Sequence, residues 1–135
     1  MMKKSFVSCA LALAFCALEL SPHGVRAASS RSFYTASQAL AGKKAYLANC
    51  ASCHAADLSG VSAPPLKGDL APYHGTQSVS EVYDYISGQM PMTAPGSLTP
   101  KTYAAILAYI LQQNGHPAGA VPLTPAAAKN IAAKI

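Results

Sequence analysis

Two cysteines three residues apart, followed at once by a histidine, are the residues of this chain best suited to do chemistry: Cys50-Ala51-Ser52-Cys53-His54. Thiols at that spacing fall on one side of a helical turn. There both can add across the two vinyl groups of one porphyrin and form thioethers. His54, next in line, then lies under the ring with its imidazole aimed at iron, and the small Ala51 and Ser52 need not clash with the ring. The pattern is the attachment sequence for c-type haem. A structural zinc site would want four ligands with a second Cys or His pair, whereas His74 and His116 are isolated. A thioredoxin-like C-x-x-C expects a βαβ context, which this sequence does not offer. A disulfide between the two cysteines would close a very short loop and stabilise little.

An iron held by His54 needs a sixth ligand. Apart from Met1 and Met2, the only methionines are Met90 and Met92. A thioether is a soft ligand that suits ferrous iron, and Met/His ligation raises the reduction potential. Such an iron has no open position, so it exchanges electrons without binding substrate. Met90 is preferred over Met92 because Pro91 favours extended backbone at the residue before it; the plain alternative is that either methionine fills a gap in the core. A ligating histidine usually donates its other ring N–H to a carbonyl or carboxylate. Pro64-Pro65-Leu66 could supply a stiffly held carbonyl, or could only shape a turn. Tyr73, His74, Tyr83 and Tyr85 could line the cofactor, with surface loop and core packing as the ordinary readings.

These residues need helices and loops to position them. A first helix is expected from about Ala36 to Ala48, capped by Thr35. Two helical spacings run along it, Leu40-Lys44-Leu47 and Gly42-Tyr46. The Gly-, Pro- and Ser-rich stretch 55–77 reads as loop. Ser78-Val79-Ser80-Glu81 is a capping-box pattern, so a short helix should follow, with Val82, Tyr85 and Ile86 inward and Gly88 ending it. Loop returns at 89–99, with Pro91 and Pro95. Thr99-Pro100 then opens the clearest helix. Its apolar stripe is Tyr103, Ile106, Leu107, Ile110 and Leu111, and Asn114-Gly115 stops it. His116 sits just past that helix end, where a protonated imidazole is mildly favoured. Thr124-Pro125 should start a last short Ala-rich helix to the C-terminus. No convincing strand is found. Three core helices around two long loops make a thin core for a small domain, and a large flat apolar cofactor would fill it.

The 135 residues suit one modest domain. Lys3 and Lys4, an apolar run from Phe6 to Leu18, Pro22, and Val25-Arg26-Ala27 form an export signal with cleavage after Ala27. The run is too short for a membrane anchor and Glu19 interrupts it; a lipoprotein signal at Cys16 is disfavoured by the bulky Phe15 before it. The expected organisation is a cleavable signal at 1–27, a disordered segment at 28–34, the haem domain at 35–115 and a Pro/Ala-rich extension at 116–135. Export to the periplasm follows. The chain has ten basic and five acidic residues, net +5. Removing Lys3, Lys4, Arg26 and Glu19 with the signal leaves +3, too small and scattered for a nucleic-acid surface. No other segment is long and apolar enough for stable membrane insertion.

Taken together, these residues resemble the class I cytochrome c family over roughly Thr35 to Asn114. Beside Cys50–His54, Pro64-x-Leu66-x-Gly68 looks like the family's loop whose proline carbonyl bonds the haem histidine. Gly88-Gln89-Met90-Pro91 looks like its methionine ligand loop, which again favours Met90. The helix with Tyr109 looks like the family's C-terminal helix, whose aromatic packs on a glycine and an aromatic of the first helix, here Gly42 and Tyr46. The resemblance implies an all-α, small cytochrome c-like fold wrapped around one haem c, covalent through Cys50 and Cys53, ligated by His54 and Met90 and supported by Pro64. It implies a soluble single-electron carrier between redox proteins, not an enzyme. The stretch 90–115 and the Pro-rich tail are also loosely similar to cytochrome c domains associated with quinoprotein alcohol dehydrogenases. That suggests such a dehydrogenase as donor and a terminal oxidase as acceptor. Two other functions fit the same motif: a five-coordinate haem protein that binds a small gas or peroxide, and a fixed cytochrome subunit of a dehydrogenase complex.

Overall fold

The computed structural model describes residues 32–69 and 71–135. The expected signal at 1–27 lies outside them, as do residues 28–31 of the segment expected to be disordered. Five helices follow in order: α1 (Ala36–Asn49), α2 (Ala51–His54), α3 (Val79–Gln89), α4 (Pro100–Gln113) and α5 (Pro125–Ala128). No named strand occurs among the described residues; a single isolated bridge joins Ser78 and Lys134. None of their helices is long and apolar enough to cross a membrane.

Local sequence sets each helix start. The Thr35 hydroxyl accepts from Gln38 N at 3.2 Å, Thr99 caps α4 with Pro100 in its first turn, and Thr124 does the same for α5. Ser78 and Glu81 form the reciprocal capping box on α3. Each cap satisfies an amide that would otherwise have no helical partner. The last helix is shorter than expected. After Ala128 the chain runs on irregularly to Ile135 instead of staying helical.

The central rod is α4, with eight of its fourteen residues buried. Its expected stripe is all inside, and Ala104, Ala108 and Tyr109 join it. The partner is α1, which packs along α4 far more extensively than α3 does. Of the two spacings on α1, the small one faces inward. Ala39, Gly42 and Tyr46 are buried, while Leu40 is 61% and Leu47 45% exposed. Gly42 explains why. A Cβ there would stand 1.8 Å from Ala105 O and 2.5 Å from the same carbonyl carbon, so the two backbones meet where only glycine fits. One turn on, the rings of Tyr46 and Tyr109 pack at 5.4 Å and 56°, within the range favoured for tilted aromatic pairs.

Three expectations need correction. On α3, Tyr83 is buried and Tyr85 is 55% exposed. Val79, Val82, Tyr83 and Ile86 make the i, i+3, i+4, i+7 face, and Tyr85 points away from it. Residues 32–34, expected to be disordered, pack instead: Tyr34 is fully buried and its hydroxyl donates to His116 O at 2.5 Å. The tail set apart at 116–135 also folds back, burying Leu123, Ala128 and Ile135 in the same core.

Candidate functional site

The turn that carries Cys50, Cys53 and His54 grows directly out of α1. Cys50 N donates to Tyr46 O at 2.8 Å, and His54 N donates to Cys50 O at 3.0 Å, closing the single turn of α2. From beneath, the buried Tyr46 hydroxyl donates to Ala55 O at 2.7 Å and lies 3.2 Å from His54 O. Ala55 has φ 66 and ψ 153, a region that belongs almost wholly to glycine and costs a few kcal/mol elsewhere. The chain therefore leaves the motif through a strained residue that the Tyr46 hydroxyl holds by its carbonyl.

Both cysteines are free thiols, Cys50 half-buried and Cys53 exposed. Burial, and to a smaller extent the neighbouring Cys53, push the Cys50 thiol up to about 11. His54 is buried. Its Nδ1 lies 2.8 Å from Pro64 O. A carbonyl can only accept, so Nδ1 carries the proton and Nε2 keeps its lone pair for a metal.

The loop that presents Pro64 is tied down from two sides. The Tyr73 hydroxyl donates to Leu66 O, and Asn114 Nδ2 donates to the same oxygen at 3.1 Å. Asn114 Oδ1 accepts from Gly68 N at 3.0 Å. Leu66 N in turn bonds Leu58 O at 2.8 Å. At the loop's base, Asp57 accepts from the Ser59 hydroxyl at 2.6 Å and from Ser59 N at 3.1 Å, with Lys67 3.4 Å away. These bonds, the Ser59 ones first, hold the Asp57 carboxyl down to about 2. Tyr73 thus braces the loop. His74 sits 3.5 Å from Asp69 instead.

Met90 terminates α3 in extended backbone, φ −119 and ψ 154, with its N–H on Ile86 O. It is half-buried, whereas Met92 is 76% exposed. The Tyr103 hydroxyl donates to Met90 O at 2.6 Å and accepts from Leu98 N at 3.3 Å, so one side chain of α4 closes both ends of the methionine loop. No hydrogen bond joins Met90 to the Cys50–His54 turn among the described residues. The connection runs through α4: Tyr103 holds the Met90 loop, and Tyr109, about 9 Å further along the axis, packs on Tyr46 under the turn.

The donor set fits a covalently attached haem. It comprises two free thiols on one turn, an imidazole whose orientation is fixed through Nδ1, and a thioether on a separately anchored loop. Sequence reasoning missed three supports. The sequence marks Tyr46 only as a packing residue, Tyr103 only as part of an apolar stripe, and Asn114 only as a helix stop. The available signal was chemical type: a tyrosine in an apolar stripe usually brings a hydroxyl that needs a partner.

A family model described as "Cytochrome C oxidase, cbb3-type, subunit III" matches residues 37–110. That stretch contains both cysteines, His54, Pro64 and Met90, and ends within α4. The fold and the matched stretch make this chain a member of that family of c-type cytochromes, whose haem-based chemistry is electron transfer. Among solved structures, the sulfane dehydrogenase SoxCD from Paracoccus pantotrophus is similar, with a TM-score of 0.53 and 24% identity over 74% of this chain. The chain spans 60% of the length of that matched SoxCD chain. At this identity the likeness speaks for the fold, which is the small all-α, cytochrome c-like one. A comparison with curated proteins gave no match.

Proposed function

We propose that this chain is an exported, periplasmic electron carrier with one haem c, bound through Cys50 and Cys53 and ligated by His54 and Met90. The haem would supply a single iron that cycles between ferric and ferrous states. The protein's own residues do the rest. Pro64 O holds the His54 proton on Nδ1 and leaves Nε2 directed at the metal. Tyr46 anchors the two consecutive carbonyls, of His54 and Ala55, at the exit of the Cys50–His54 turn. Tyr103 holds Met90 O, so the Met90 thioether would be available to complete the coordination of a bound iron, which would then offer no position to a substrate. The observation that carries this reading is the 2.8 Å contact between His54 Nδ1 and Pro64 O, immediately beside two unpaired thiols. On this reading the protein is a carrier, as the cytochrome c family match supports. A separate dehydrogenase as donor and a terminal oxidase as acceptor are the partner classes proposed.

Absorption spectra of the purified protein, oxidised and then reduced, test the ligation. Sharp low-spin bands, with a weak Met–iron band in the oxidised form that disappears in Met90→Ala and persists in Met92→Ala, are expected. A high-spin spectrum that shifts on adding carbon monoxide would mean an open iron, and the gas- or peroxide-binding reading would replace this one. A second reading is a cytochrome fixed in a larger complex, in which the exposed Leu40 and Leu47 on the outer face of α1 would be covered by the partner. Hydrodynamic size of the natively expressed protein separates the two: a monomer supports the free carrier, co-migration with a larger enzyme the fixed subunit.

A further inference from the structure

The first turn of α3 raises a question of hydrogen-bond partners. Ser78 Oγ accepts from Glu81 N and Ser78 O accepts from Val82 N. The capping box therefore leaves the amides of Val79 and Ser80 without partners from their own helix. Both are satisfied by residues some fifty positions later: Val79 N donates to Ala133 O at 2.9 Å and Ser80 N to Ile131 O at 3.1 Å. Further bonds flank these. Ile135 N donates to Gln77 O at 3.2 Å and Gly75 N to Ile135 O at 2.6 Å. Lys134 Nζ reaches Thr76 O at 2.6 Å and lies 3.5 Å from the capping carboxylate of Glu81. At its other end the segment is clamped to α1, where the Gln38 amide donates to Leu123 O at 2.7 Å and accepts from Leu123 N at 2.7 Å.

Residues 123–135 therefore form a strap from α1 to the start of α3, outside the stretch matched to the family. What α3 carries at its far end is Met90, about 16 Å away along the axis. Between its ends α3 packs on α4 through the buried Val82 and Tyr83. The Tyr83 hydroxyl donates to Pro100 O at 3.3 Å, and beside that bond an open pocket of about 570 Å³ is lined by Ser87 of α3, by Gly96 and Leu98, and by Pro125 and Lys129 on the strap side. Besides this buried face, the helix is held at each end: by the strap at its start and by Tyr103 on Met90 O at its finish.

We infer that the strap 123–135 positions Met90, so that loosening it frees the methionine from iron. The inference rests on the ligation proposed above. Gln38, Leu123, Ile131 and Lys134 act through α3 and are positioning residues; none of them touches the ligand set.

The test uses the full-length holoprotein and imidazole as a competitor for the sixth position. Gln38→Leu removes both clamp bonds at nearly constant volume, Lys134→Met removes the contacts to Thr76 and Glu81, and Ile135→Glu places a charge in the buried end of the strap. Amide hydrogen exchange at Val79 and Ser80 reports release of the strap independently of the haem. In variants with faster exchange there, imidazole should bind about 5- to 30-fold more tightly, the gain expected from loosening an anchor of one or two hydrogen bonds. The Met–iron band should weaken in parallel. Unchanged imidazole affinity and an unchanged band in a variant whose Val79 and Ser80 amides exchange freely would overturn the inference. Should Ile135→Glu not fold, Gln38→Leu and Lys134→Met decide the matter. Met90→Ala is measured alongside. If it too leaves imidazole binding and the band unaltered, Met90 is not a ligand, and the failure lies in the ligation itself.

Discussion

Replacing Gly42 with alanine should loosen the contact on which the Cys50–His54 turn is built. The added Cβ would lie 1.8 Å from Ala105 O, 2.5 Å from Ala105 C and 3.1 Å from Ile106 N. Carbon and carbonyl oxygen come no closer than about 3.3 Å without repulsion. The helices must therefore part by roughly 1.5 Å at this point, and the obstacle is backbone that cannot rotate away. Overpacking a core costs about 1–3 kcal/mol, and backbone as the obstacle puts this site at the upper end. The better helix propensity of alanine returns up to about 1 kcal/mol. Separation at Gly42 also opens the Tyr46–Tyr109 contact one turn on, itself worth about 0.5–1.5 kcal/mol. The net loss is about 2–3 kcal/mol, a fall in Tm of roughly 10–20 °C for a domain of this size. Thermal unfolding followed by far-UV circular dichroism measures it, with Lys43→Ala on the exposed side of the same helix as the control. A Gly42→Ala protein as stable as the parent would show that α1 and α4 do not meet as described, and the reasoning that places Tyr46 under the motif would fail with it.

Tyr46→Phe keeps the ring packing but leaves Ala55 O and His54 O without their donor, and should cost about 1–3 kcal/mol in denaturant unfolding. Ala55→Gly should act in the opposite direction. Relief of strain at φ 66 outweighs the added freedom of the unfolded chain and gives a gain of about 1 kcal/mol, read as a higher midpoint in the same titration. His116 is held below the usual histidine range, first by burial and then by the charge of His74. Because its folded value lies below its unfolded one, the unfolded chain binds more protons in that window. Stability from this group is full above pH about 6.5 and declines as pH falls below it. His116→Phe should flatten that decline in unfolding midpoints measured from pH 7 down to 5.

Much of the scaffold was legible in the sequence because its signals are local. Thr35, Ser78, Thr99 and Thr124 each announce a helix start through a hydroxyl within reach of an amide three residues on, and each caps one in the structure. The stripe on α4 was legible for the same reason. Harder to read was α1, where the larger side chains Leu40 and Leu47 face outward. The close approach at Gly42 admits only a small-residue face, and closeness of two backbones is a tertiary fact. Tyr85 and Tyr83 are hard to tell apart because the apolar residues Val79, Val82, Tyr83, Tyr85 and Ile86 fit two overlapping helical faces until the partner helix is known. In the site, Cys50, Cys53 and His54 announce themselves by adjacency. The roles of Tyr46, Tyr103 and Asn114 depend on hydroxyl and amide groups meeting carbonyls from elsewhere in the fold, and no spacing rule encodes that. His116 is similar: the helix end alone favours its charge, but its burial, with Phe33 packed against its ring, opposes that charge more strongly.

The central claim, that Cys50 and Cys53 hold a haem in this chain, is tested most directly on a denaturing gel. The protein is produced in an exporting host that has its own haem-attachment machinery, then stained for haem and weighed intact by mass spectrometry. One haem per chain should remain bound through denaturation, and Cys50→Ser with Cys53→Ser should lose it. A colourless protein from that host, with the mass of the bare polypeptide and both thiols free, would contradict the account.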